Sequence, residues 1–143
     1  MKRSKQTNPR NLWLAGLAIA VPAAAVVAVA LVGGHSGADH PEPRPDVTGE
    51  HVLHSGSVPR TYPNAVESYQ IARQIPAVLD GMRCFCACKA TLGHRSLLSC
   101  FEDDHGAQCE VCQDEALIAA DVGRRGGTLE DARRAVDARF GPG

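Results

Sequence analysis

Six cysteines fall between positions 84 and 112, spaced C-x-C-x-C-x11-C-x8-C-x2-C. They are Cys84, Cys86, Cys88, Cys100, Cys109 and Cys112, with His94 and His105 inside the same window. Packing alone does not call for cysteine at this density. Thiolate sulfur and imidazole nitrogen are the donors that Cu(I) and zinc take up. Three sulfurs on one short loop can converge on a soft ion, and Cys100, His94 or the Cys109/Cys112 pair can complete its shell. Met82 could add a thioether. His94 serves either as a ligand or as a donor behind one. His105 follows the acidic run Glu102-Asp103-Asp104 and reads as a residue of a solvated loop.

Other chemistries fit less well. A c-type haem needs C-x-x-C-H, but Gln113 follows Cys112. The ferredoxin spacing C-x2-C-x2-C is not C-x-C-x-C. A zinc ribbon wants two C-x-x-C knuckles, and there is one. Three disulfides are the alternative, since the number is even and small exported domains need staples. Bridges within the C-x-C-x-C run would be strained, so each of its cysteines would have to reach Cys100, Cys109 or Cys112. A third reading is a redox dithiol at Cys109/Cys112, just ahead of a predicted helix whose N–H groups lower a thiol pKa. It lacks the βαβ context of a thioredoxin. There is no Ser/His/Asp arrangement, phosphate loop or H-E-x-x-H. The expectation is a binding protein, not an enzyme, with thiol-redox activity as the one enzymatic alternative.

The run Met82-Arg-Cys84-Phe-Cys86-Ala-Cys88, followed by Gly93-His94-Arg-Ser-Leu-Leu-Ser-Cys100-Phe101, His105-Gly106 and Cys109-x-x-Cys112, resembles the bacterial family of exported proteins and lipoproteins named for a Pro-Cys-Tyr-Cys-Gly-Cys motif. The likeness covers roughly Tyr69 to Phe140. Arg83, Phe85 and Ala87 replace the motif's proline, tyrosine and glycine, while its three cysteines are kept. Alanine takes a positive φ less easily than glycine, so the turn at Ala87 is the position where this chain departs most. The resemblance implies the domain and its export, and no activity.

The elements that would hold these residues read as helices. Ala65, Val66, Tyr69, Ala72, Ile75 and Leu79 recur at helical spacing, which predicts a helix over 64–75 with Asn64 as N-cap. Pro76 interrupts it, and a short turn runs on to Gly81. Leu97, Leu98 and Phe101 predict a helix over 91–101. A third is expected over 113–125, stopped by Gly126-Gly127. Thr128-Leu-Glu-Asp131 reads as a capping box with Asp in the Glu position, opening a fourth helix to Phe140. No strand is legible. The fold class is all-α: a small helical cysteine-rich domain over 64–143.

Ahead of it, Leu12–Val32 is 21 residues without a charge, long enough to span a bilayer. Lys2, Arg3, Lys5 and Arg10 flank it on one side only. The positive-inside rule then predicts a cytoplasmic tail over 1–11 and a single-pass transmembrane helix over 12–32 in the cell membrane, with the C-terminal domain extracytoplasmic. Ala28-Val29-Ala30 also offers a signal-peptide cleavage site. Residues 33–63, with five Gly, five Pro and four of the six His, read as a flexible stalk. From Gly34 on, 11 Lys/Arg face 16 Asp/Glu, which leaves no basic face for nucleic acid. Aromatics make up 4% of the chain, too few for a large aromatic cleft. The expectation is thus a membrane-anchored extracytoplasmic protein that binds copper or zinc and passes it to a client metalloprotein. A disulfide-stapled domain without metal is the alternative.

Overall fold

The structure, a computed structural model, describes residues 39–60 and 62–141. Among these residues all regular structure is helical. The α-helices are α1 (Ala65–Gln74), α2 (Pro76–Asp80), α3 (Cys88–Thr91), α4 (Ser99–Glu102), α5 (Glu110–Arg124) and α6 (Leu129–Phe140). Short 3-10 turns lie at Gly49–His51, Ser55–Ser57 and His105–Gln108.

Helix α1 buries Ala65, Ser68, Tyr69, Ile71 and Ala72, the i, i+3, i+4, i+7 face of an amphipathic helix. Asn64 occupies the N-cap position without a side-chain cap bond. Pro76 ends α1 and begins α2, where its missing N–H costs nothing. Gly81 closes α2. A Cβ there would lie 2.8 Å from Leu129 Cδ2 and 2.9 Å from Pro43 Cγ, so glycine admits two separate segments to this point. Helices α5 and α6 form an antiparallel pair, and α1 packs across α5. The turn between α5 and α6 uses Gly126 at φ +79°. Thr128 and Asp131 make the expected capping box: Thr128 Oγ1 accepts from Asp131 N–H at 3.2 Å, and Asp131 Oδ2 accepts from Thr128 N–H at 2.7 Å.

The helix expected over 91–101 is replaced by two single turns, α3 and α4, with an irregular crossing between them. Gly93 takes φ +75° and stops the helix. Leu97 N–H donates to Met82 O at 2.7 Å and Leu98 N–H to Leu79 O at 3.2 Å. The segment spends these backbone bonds on the last turn of α2 and the chain just after it, which lets the adjacent Leu97 and Leu98 both be fully buried.

Two further expectations are corrected. The stretch read as a flexible stalk belongs to the fold over its described part. Val52 and Val58 are buried in the core, and Leu53 N–H donates to Phe101 O at 2.9 Å. Arg44 N–H donates to Asp80 Oδ2 at 2.7 Å. Proline and glycine set the path of this segment while its valines supply the packing. The membrane reading is corrected as well. The expected span over 12–32 lies outside the described residues. Among the described residues no helix is long and apolar enough to cross a membrane. The longest, α5, has 15 residues, against the ~20 apolar residues a span needs. The transmembrane helix, the single-pass cell-membrane topology and the membrane partner thus find no support among the described residues.

Candidate metal centre

The C-x-C-x-C run follows α2 and its backbone is fixed from two sides. Phe85 N–H donates to Glu115 Oε1 of α5 at 2.8 Å, and Arg83 N–H donates to His40 Nδ1 at 3.0 Å. Ala87 adopts φ +65° and is the N-cap of α3. This left-handed residue reverses the chain so that Cys88 enters a helical turn beside Cys84 and Cys86. The position where glycine would be at ease is therefore the one that needs a positive φ, and alanine holds it at a cost of about 1 kcal/mol.

Five of the six cysteines meet here. Cys84 Sγ donates to Cys86 Sγ at 3.3 Å and lies 3.5 Å from Cys112 Sγ, while Cys86 and Cys112 are 3.6 Å apart. Cys88 and Cys100 are 3.4 Å apart. His94 Nδ1 lies 3.3 Å from Cys100 Sγ. His105 Nε2 lies 3.5 Å from Cys86 Sγ. Donor sets with all atoms within 4.8 Å of one another include Cys84/Cys86/Cys88/Cys100, Cys86/Cys100/His105/Cys112 and Cys88/His94/Cys100/His105. Cys109 belongs to none of these sets. It is half-buried at the N-cap of α5, one turn before Cys112.

His105 is the donor that sequence reasoning passed over. Its loop is braced from below: Tyr69 Oη donates to Asp103 O at 2.6 Å and accepts from Ala107 N–H at 3.2 Å. Gln113 Nε2 donates to Gly106 O at 2.8 Å. A Cβ on Gly106 would sit 2.8 Å from Cys100 O, so the turn after His105 requires glycine. The acidic run does not reach the donors as ligands. Asp103 instead places Oδ2 3.7 Å from His94 Nε2, behind the ring nitrogen that faces Cys100. At that distance the carboxylate faces the imidazole without a direct hydrogen bond to it.

All six cysteines are free thiols, which corrects the stapled alternative and the disulfides it required. The shortest Sγ···Sγ approaches, 3.3 to 3.6 Å, are non-bonded contacts, far beyond the ~2.04 Å of a disulfide. Four thiolates around zinc at ~2.3 Å would stand about 3.8 Å apart, and the atoms of each donor set lie within 4.8 Å of one another, a spread that takes in that value.

The surroundings favour one thiolate among several thiols. Hydrogen bonds from Cys100, Cys112 and Cys84 hold the Cys86 thiol below its ordinary pKa. The same contacts with Cys112, Cys84 and Cys86 push Cys100 up. Burial pushes Cys88 and Cys109 up, and burial likewise raises the Glu115 carboxyl to about 8. Cys100 and Cys112 have no exposed surface, whereas Cys86, His94 and His105 are partly exposed. The cluster thus opens to solvent on one side.

A small all-α domain organised around a cysteine and histidine cluster able to coordinate a metal ion is the class of protein that fold and site define. Over residues 35–143 the chain matches the family described as "Protein of unknown function with PCYCGC motif", and it belongs to that family. No curated protein and no solved structure matches it.

Proposed function

We propose that this protein binds a soft metal ion, Cu(I) or zinc, through cysteine thiolates and serves to hold it or deliver it to a client metalloprotein. The observation that carries the reading is the gathering of five thiols and two imidazoles, from three stretches of chain, into overlapping groups of four whose donor atoms lie within 4.8 Å of one another. Every donor is sulfur or nitrogen, the preference of soft and borderline ions. Chemistry toward a client is supported by the partly exposed donors Cys86, His94 and His105, which an incoming thiolate could replace one at a time.

Anaerobic titration of the reduced protein with Cu(I) and with zinc, against a competing chelator, tests this. The expected result is stoichiometric binding tighter than micromolar, lost or strongly weakened in Cys86→Ser. If the reduced wild type takes up neither ion at micromolar concentration, the reading is overturned.

A further inference from the structure

Resting on that metal reading, we propose that the cluster is built for two ions bridged by the Cys100 sulfur. Seven donor atoms are gathered here, and a four-coordinate ion uses four. They divide into two sets of four that share a single atom. Cys88, His94, Cys100 and His105 form one set, all within 4.8 Å of one another. Cys84, Cys86, Cys100 and Cys112 form the other. Its pairs fall within the same limit through the two donor groups that contain Cys86 and Cys100, together with the 3.5 Å approach of Cys84 to Cys112.

The division uses every donor once and Cys100 twice. A thiolate sulfur carries three lone pairs and can bond two metals; an imidazole nitrogen carries one and cannot. The atom common to both sets is accordingly a sulfur, and a fully buried one. One ion would have an all-thiolate shell and the other a shell of two sulfurs and two nitrogens. Both are familiar zinc coordination types. On binding, each sulfur that still carries a proton gives it up to solvent, four of them when Cys86 is already a thiolate, with no change of oxidation state.

Native mass spectrometry of the reduced chain loaded anaerobically with zinc, and separately with Cu(I), gives the count. Two equivalents are expected. Cys112→Ser and His94→Gln should each retain one, and Cys100→Ser should weaken both. His94 is partly exposed, so His94→Gln still reports if a buried cysteine variant fails to fold. Loading with 113Cd in place of zinc should give two resonances, one at the all-sulfur shift, with scalar coupling through the shared sulfur. A single equivalent in the wild type, or two uncoupled resonances, overturns the bridged pair and leaves the one-ion reading standing. Zero equivalents of either metal overturns both.

Discussion

His40 Nε2 donates to Asp137 Oδ1 at 2.9 Å across 97 residues of sequence. The His40 side chain is 2% exposed, and its other nitrogen accepts from Arg83 N–H, the residue before Cys84. One imidazole therefore ties the N-terminal segment, the cysteine motif and the last helix together. These two bonds also set its tautomer, with the proton on Nε2.

Replacing His40 by Ala should cost about 2–3 kcal/mol, because it leaves Asp137 and the Arg83 N–H without partners inside the structure. Urea denaturation of the two reduced proteins measures it. Starting the chain at Tyr62 should do more, since it also removes Val52, Val58 and Arg44; a loss of helical circular dichroism is the expected result.

Asp80 is fully buried and takes bonds from Arg44, Arg95 and Ser96. Burial works to raise its pKa, but the Arg44 N–H, the Arg44 guanidinium and Ser96 outweigh it and hold the carboxyl below its ordinary value. Stability from this group is full above the usual carboxylate pKa of ~3.9 and is lost as pH falls through the lower folded value. Asp80→Asn should cost about 3 kcal/mol at pH 7. The gap to wild type should close in strong acid, as denaturation midpoints at pH 7 and pH 3 would show.

Glu115 runs the other way. Burial raises its carboxyl to about 8, and Oε2 has no hydrogen-bond partner among the described residues. The metal-free protein gains most from this group below pH ~4.5 and loses that contribution as pH rises through about 8. Glu115→Gln keeps an acceptor for Phe85 N–H and removes the charge. Its thermal midpoint should therefore fall less between pH 6 and pH 9 than that of the metal-free wild type.

Ala87→Gly should stabilise the fold by about 0.5–1 kcal/mol. It relieves a left-handed alanine, and part of that gain is offset by the extra freedom of glycine in the unfolded chain. Denaturant midpoints of the reduced proteins would register the change. An unchanged or lower midpoint would mean that the alanine methyl contributes more than its strain costs.

Where local chemistry decided the outcome, the sequence was readable. The Thr128/Asp131 capping box, the stop at Pro76 and the periodic face of α1 all stand where their residues placed them. The 91–101 segment was not, because its leucines satisfy a helical pattern while Gly93 and the carbonyls of Met82 and Leu79 draw the backbone elsewhere. Helix α5 begins at Glu110, ahead of the expected Gln113, which puts Cys112 on its first turn. The packed segment over 39–60 has a linker's composition; its signal was the apolar series Val47, Val52 and Val58, outweighed by the prolines. His105 was hidden by its acidic neighbours, whose part is to shape the loop: Asp103 Oδ1 accepts from His105 N–H at 2.8 Å. Tyr69, read from its spacing as core, is core and also bridges Asp103 and Ala107 beneath that histidine. The coming together of the donors depends on long-range bonds such as these, which no local pattern encodes.

The unequal exposure of the thiols gives the molecule an internal clock. In the reduced, metal-free chain Cys86 is within reach of a small alkylating reagent from the folded state, whereas Cys100 and Cys112 have no surface to offer. Modification of the buried pair must wait for the chain to open. Where reclosing outpaces the reagent, its rate relative to a free thiol reports the opening equilibrium directly. Site-resolved alkylation should accordingly proceed with Cys86 well ahead of Cys100. Denaturant should accelerate Cys100 far more than Cys86, so that conformational opening can be timed from thiols the sequence already supplies.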